Sequence, residues 1–201
     1  MKPLMRIAVP VALALGASAC SLGGLLGGGA KAPAILYTLT PEAPAPGEIV
    51  RASAPGEAVT VATPVVPKEL RTIRVPVQIG ATQVAYVKDL QWVDTPDRLF
   101  RDLVAETVRR TTSRVVLDSK QAALDPGLLV SGELNKFGFE EAEGAVLVRY
   151  DAALSTAGGT QVQTRRFEAR VPADGTAATV APALNQAANQ VALEVARWIG
   201  G

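Results

Sequence analysis

The stretch AVLVRYDAAL constrains the fold more than any other, because apolar side chains recur at every second position: Val146, Val148, Tyr150, Ala152 and Leu154. A period of two places that series on one face of a β-strand. The pair Gly158-Gly159 then supplies a hairpin turn to a second extended run, TQVQTRRFEARV, which makes the two strands antiparallel neighbours. Upstream, LLVSGELNKFGFE alternates through Val130, Gly132 and Leu134 and then changes phase to Phe137 and Phe139. That switch predicts a bulge near Asn135 or Lys136. The result is a three-stranded meander with one apolar face that must be covered.

Two segments have the spacing to cover it. In DTPDRLFRDLVAETVRR, Thr95 is a good N-cap, Pro96 suits the first helical position and Asp97 favours the positive helix end. Leu99, Phe100, Leu103, Val104 and Val108 form one apolar stripe, and Arg109 and Arg110 sit at the negative end. The closing segment, from about Thr179 to Ile199, repeats the pattern with Val180, Leu184, Ala188, Val191, Val195 and Trp198, and Gly200 is placed to cap it.

The remaining runs are shorter. AILYTL (Ala34 to Leu39) reads as a first strand, AVTVATPVVP and TIRVPVQI as two more, QVAYVK as another, and SRVVLD (Ser113 to Asp118) as a short buried one. Pro64 and Pro76 remove ladder donors and predict edges or bends. Pro41, Pro44, Pro46 and Pro55 mark a Pro/Ala-rich loop at about 41–57. The expected fold class is α+β: a mixed, mostly antiparallel sheet with two main helices packed on one face.

Composition removes whole classes of function. The 20 Lys and Arg balance 19 Asp and Glu, a net charge of +1, so no electrostatic footprint for nucleic acid exists. Histidine is absent and cysteine occurs once, which excludes an internal disulfide, Ser-His-Asp and Cys-His nucleophiles and the usual zinc sites. No cofactor or metal is expected. The carboxylates Glu140, Glu141 and Glu143 cluster, but with Gly144 they fall in a predicted hairpin turn, where charge faces water. Catalysis there is the weaker reading. Arg165 and Arg166 on an outer strand read as solubilising, and SLGGLLGGGAK lacks the spacing of a phosphate-binding loop.

The N-terminus directs the chain out of the cytoplasm. Lys2 and Arg6 precede an apolar run from Ile7 to Leu15 and the small residues Gly16, Ala17, Ser18 and Ala19, the pattern of a secretory signal too short for a ~20-residue span. The only cysteine, Cys20, follows directly and looks like the acceptor of a bacterial lipobox, so residues 1–19 are expected to be removed and Cys20 acylated. Ordinary cleavage after Ala19, in an A-x-A pattern, is the alternative. Two or three acyl chains on one residue anchor a protein stably where a single chain binds marginally. Residues 20–33, with their glycine tract, then form a tether, whose root-mean-square reach to about Ile35 is roughly 20 Å at ~5–6 Å times the square root of about 15 residues. Ser21 after the cysteine points, by the enterobacterial sorting pattern, to the outer membrane. Residues 34–201 are expected to form one α+β domain.

Aromatic residues are scarce, at 4%, which singles out Tyr86 and Trp92 in VAYVKDLQWVDTP. Each can seal the core or anchor a partner, since Trp and Tyr are enriched at interfaces. Both are retained as partner-contact candidates, with the core role favoured for Trp92. The order of ILYTL, VTVATPVVPKEL, VAYVKDLQWVDTPDRLF and a final helix ending VARWIG resembles the ABC-type transport auxiliary lipoprotein family, which includes the paraquat-inducible protein C lipoprotein. The resemblance runs from about Ala34 to Ile199, with Gln91 standing where the family would carry a basic residue. It implies a non-enzymatic, periplasm-facing lipoprotein of an ABC transport system that moves phospholipids or other hydrophobic molecules. It further implies docking onto a subunit with mammalian-cell-entry (MCE) domains, with assembly into a homo-oligomeric ring as one arrangement. Three other roles compete: a lipoprotein chaperone or assembly factor for another outer-membrane complex, an envelope enzyme using carboxylates alone, and a soluble lipid carrier with an apolar cavity.

Overall fold

A computed structural model describes residues 35–47, 51–123, 125, 127–156 and 161–200. Its strands are β1 (Val59–Val61), β2 (Arg74–Gln78), β3 (Val84–Gln91), β4 (Val116–Leu117), β5 (Leu128–Glu140), β6 (Ala145–Ser155) and β7 (Val162–Pro172). Its helices are α1 (Pro96–Thr111) and α2 (Ala177–Gly200). The seven strands form one sheet in the order β3-β2-β5-β1-β4, with β6 and then β7 added beyond β5. Pairings of β5 with β6, β6 with β7 and β2 with β3 are antiparallel and longer; those of β1 with β4 and β5, and of β2 with β5, are parallel and short. This is the mixed α+β fold with two helices that the sequence predicts.

The meander forms as its alternation requires. Val146, Val148, Tyr150 and Ala152 are buried, and β5 shifts register between Leu134 and Lys136, so Phe137 and Phe139 rejoin the core. The turn glycines Gly158-Gly159 lie outside the described residues. On α1, Phe100, Leu103, Val104 and Val108 are buried, and Leu99 packs at the edge of the core. Each full burial of such a side chain contributes about 1.5–3 kcal/mol. Val180, Leu184, Ala188, Val191 and Val195 do the same for α2, where the helix runs through Gly200 without ending before it. Thr95 opens α1 through its carbonyl, which accepts from the Arg98 and Leu99 N–H groups, while its hydroxyl makes no cap bond.

Four short elements differ from expectation. Among the described residues of AILYTL, Ile35 to Leu39, no strand forms; Tyr37 makes a single parallel bridge to Trp92. The run from Ala58 to Pro67 contributes only three strand residues and an isolated bridge from Val65 to Glu133. SRVVLD gives a two-residue strand that is half-buried, because β4 is the last strand of its side and has a partner on one edge only. Pro76 lies in an interior strand. It is tolerated there because the β2–β3 register shifts between Arg74 and Pro76, and β2 reaches β5 only at Val77 and Gln78. The approach is close enough that a Cβ on Gly138 would lie 2.5 Å from the Pro76 carbonyl oxygen.

The Pro/Ala-rich segment is held against the helices by side-chain amides. Asn189, buried on α2, accepts the Glu42 N–H at 2.8 Å and donates to the Thr40 and Asn185 carbonyls, both at 2.9 Å. Asn185 accepts the Thr40 N–H at 2.8 Å, and Arg110 donates to the Ala43 carbonyl at 2.8 Å. Prolines deny this segment a ladder of its own, so α2 supplies its partners.

Candidate interaction surface

Register separates the two faces of the sheet. Val77 pairs with Phe139, which belongs to the core beneath the helices, so Pro76 and Gln78 point to the opposite, helix-free face. Pro76 pairs with Tyr86 and Gln78 with Val84, which places Tyr86 and Val84 on that face too. Tyr86 is half-buried. Its ring lies 4.1 Å beneath the Arg74 guanidinium, and its hydroxyl donates to the Glu69 carbonyl at 3.5 Å. Cation–π stacking fixes the ring at about 0.5–1 kcal/mol. Val84, 44% exposed, extends the patch toward the tip of the β2–β3 hairpin, whereas Ile79, two residues beyond Val77, falls on the other face by the same alternation.

Toward β6 and β7 the same face is closed electrostatically. Arg166 holds Asp151 through two hydrogen bonds of 2.6 and 2.8 Å, and Asn135 adds a third at 2.7 Å. The Arg166 bonds hold the Asp151 carboxyl below the ordinary range against a smaller upward push from burial. Burial also raises Glu168, but its bonds from Arg149 and Arg170 together leave that carboxyl lowered. The acidic turn is drawn in as well, Glu143 pairing with Arg170 at 3.1 Å and Glu140 with Lys136 at 3.2 Å. These charges neutralise one another, so the hairpin end is the apolar part of this face.

Trp92 corrects the second contact candidate. It is 0% exposed, packs against Phe137 at 5.8 Å between ring centroids, and offers no surface to a partner. Its burial follows from the backbone, since its N–H donates to Ile73 at 2.8 Å and its neighbour Tyr37 bridges it. Cys20 lies outside the described residues. A second aromatic group, not singled out as a contact, sits beside the C-terminal end of α2: Trp198 is half-buried against Phe167, over which Arg165 stacks at 5.0 Å. The terminal Trp and the Arg165-x-Phe167 spacing were its only signals in the sequence.

A cavity of about 570 Å³ opens where α1 and α2 end, between Ser53, Thr112, Arg114 and Arg197. Of its arginines, Arg114 serves a helix end, donating to the Ile199 carbonyl at 3.0 Å, and Arg51 nearby donates to the Arg109 and Arg114 carbonyls. Among the described residues no group of three acidic, His or Cys side chains is placed to hold a metal, and no helix is long and apolar enough to cross a membrane.

The model of the ABC-type transport auxiliary lipoprotein component family matches residues 37–196, nearly the whole described domain. The chain belongs to that family. It is therefore an auxiliary lipoprotein component of an ABC-type transport system, a protein of the cell envelope. Among solved structures, a Xanthomonas campestris protein of the family DUF330 is similar, with a TM-score of 0.64, 18% identity and coverage of 85% of this chain and 94% of that one. An uncharacterized protein is similar at a TM-score of 0.60 and 16% identity, over 82% and 99% of the two chains. A PelC dodecamer from Paraburkholderia phytofirmans is more distant, at a TM-score of 0.45 and 13% identity over 77% and 99%. No curated protein sequence matches the chain.

Proposed function

We propose that this auxiliary lipoprotein is anchored in the outer membrane through acyl groups on Cys20, faces the periplasm, and docks onto the MCE subunit of its ABC transport system. The system moves lipids or other hydrophobic molecules across the envelope, and the lipoprotein contributes attachment without chemistry of its own. The observation that carries this reading is the family match across residues 37–196. The surface at the β2–β3 hairpin supports it further: Tyr86 provides a stacked aromatic anchor and Val84 an exposed aliphatic neighbour on the same face.

The test is affinity purification of tagged protein from detergent-solubilised envelopes, with mass spectrometry of the N-terminal peptide and of the co-purifying proteins. An acylated Cys20 and an enriched MCE subunit are expected, and the mass of the complex counts the copies of each. A paired Tyr86→Ser and Val84→Ser variant is expected to lose the MCE subunit at least tenfold while keeping its acyl groups. Enrichment of components of an outer-membrane assembly machine, without any transporter subunit, would replace docking by a chaperone role.

A further inference from the structure

Three exposed aliphatic side chains belong to the two segments that the Tyr37–Trp92 bridge joins where the described chain begins. Ile35 is 64% exposed, Leu36 49% and Val93 52%. The backbone holds Leu36 and Val93 in place, because the Tyr37 N–H donates to the Gln91 carbonyl at 2.9 Å and the Val93 N–H donates to the Tyr37 carbonyl at 2.8 Å. Tyr37 and Trp92 turn onto the core, which leaves their neighbours Leu36 and Val93 in water. A single exposed leucine is ordinary; two aliphatic side chains fixed on one face by the bridge, with exposed Ile35 next along the chain, call for an apolar neighbour. Asp94, next to Val93, is paired with Arg98 at 3.6 Å, so that carboxylate brings no unpaired charge to the patch.

We propose that this patch rests in the headgroup–acyl boundary of the membrane that holds the Cys20 anchor. The inference rests on the acylation reading given above. What selects a bilayer as the occupant is the chain itself: residues 21–34 lead from Cys20 and end in the patch, at Ile35. A tether of that length keeps Ile35 within roughly 20 Å of the anchor, which raises the effective concentration of lipid at the patch to the millimolar range or above. Under that condition a shallow insertion of a few side chains, about 5–10 Å deep, is enough to hold the contact.

The contact orients the domain. Val84 pairs with Gln78, and Trp92 is bonded to Ile73, so the two ends of β3 are separated by five residues of β2, about 17 Å at ~3.3 Å per residue. With Ile35, Leu36 and Val93 at the lipid, the hairpin carrying Tyr86 and Val84 points away from it. One strand thus separates a lipid-facing end from a partner-facing end.

The experiment uses the acylated protein purified from envelopes and reconstituted into vesicles of phosphatidylethanolamine and phosphatidylglycerol. With Cys20 acylated, a Val93→Cys or Val84→Cys substitution gives one free thiol for an environment-sensitive fluorophore. Brominated-acyl lipids are expected to quench the probe at position 93 at least threefold more than the probe at position 84. Adding Ile35→Ser and Leu36→Ser to Val93→Cys is expected to abolish the difference. Equal, weak quenching at both positions on a protein whose Cys20 peptide carries its acyl mass overturns the inference and leaves acylation standing. A blue-shifted probe at 93 that brominated lipid does not quench also overturns it, by making protein the cover. A Cys20 peptide without acyl groups overturns both readings.

Discussion

Replacing Trp92 with phenylalanine weighs two opposed terms at the centre of the core. The indole is completely buried, and among the described residues its Nε1–H meets no acceptor of the protein. Phenylalanine removes roughly 40 Å³, which at ~24 cal/mol per Å³ of residual cavity costs about 1 kcal/mol. It also removes a buried donor whose unsatisfied desolvation amounts to about 1–3 kcal/mol. Trp92→Phe is therefore expected to lie between neutral and about 2 kcal/mol more stable, whereas Trp92→Ala, with no such compensation, loses about 3–5 kcal/mol. Urea denaturation followed by far-ultraviolet circular dichroism measures both, and unchanged m-values confirm that one transition is being compared. A loss above about 2 kcal/mol for Trp92→Phe refutes the reasoning. It would place a trapped water on the indole nitrogen, converting a liability into a hydrogen bond. Because Trp92 exposes no surface, recovery of the MCE subunit is expected to be the same for Trp92→Phe as for the unaltered protein.

Other substitutions test the joints of the fold. Asn189→Ala removes two hydrogen bonds to the Thr40–Glu42 segment, at about 1 kcal/mol each; it is expected to lower stability by about 2–3 kcal/mol and to speed amide exchange at Glu42 before the rest of the domain. Asp89 has φ 56°, a left-handed conformation, so Asp89→Gly is expected to gain up to about 1 kcal/mol in urea denaturation and Asp89→Val to lose about 1–2 kcal/mol. Asp174 accepts bonds from the Thr179 and Thr176 hydroxyls and the Thr176 N–H ahead of α2, which bring its carboxyl down to about 2. A lowered folded value means that its contribution is complete above the unfolded value near 3.8 and fades as pH falls toward 2. Asp174→Asn is expected to flatten that part of the acid-denaturation curve.

The parts of the fold legible in the sequence were those whose pattern spans many residues. Alternation along β6, the phase switch at Leu134 to Phe137 and the stripe on α1 each repeat a period often enough to overcome local exceptions. The misread parts were short, and their partners are distant. AILYTL has the propensity of a strand, yet what satisfies the chain just after it is the amide pair Asn185 and Asn189, about 145 residues away. Those two asparagines stand four apart on α2, a spacing that puts them on one helix face, but nothing in the sequence says that a backbone will lie across it. Pro76 suggested an edge because a proline donates nothing. A register shift and the missing side chain of Gly138 let it stay inside. At the candidate surface, Tyr86 was visible through its rarity. Trp92 was equally rare, with the core role favoured for it, and it is completely buried.

The position of β5 bears on how the chain becomes folded at all. One of its edges meets β6, while the other takes up, in order along its length, β1 at Leu128–Val130, Val65 at Glu133 and β2 at Phe139–Glu140. β1, Val65 and β2 therefore all pair with a strand that begins at Leu128. A nascent or half-exported chain that stops short of Leu128 has β1, β2 and β3 exposed with no central strand to receive them, and their unpaired edges are open to association with other chains. Contacts this distant in sequence make folding slow and all-or-none. An envelope that delivers this chain from its N-terminus must keep the first 127 residues apart from their neighbours until the strand that organises them arrives.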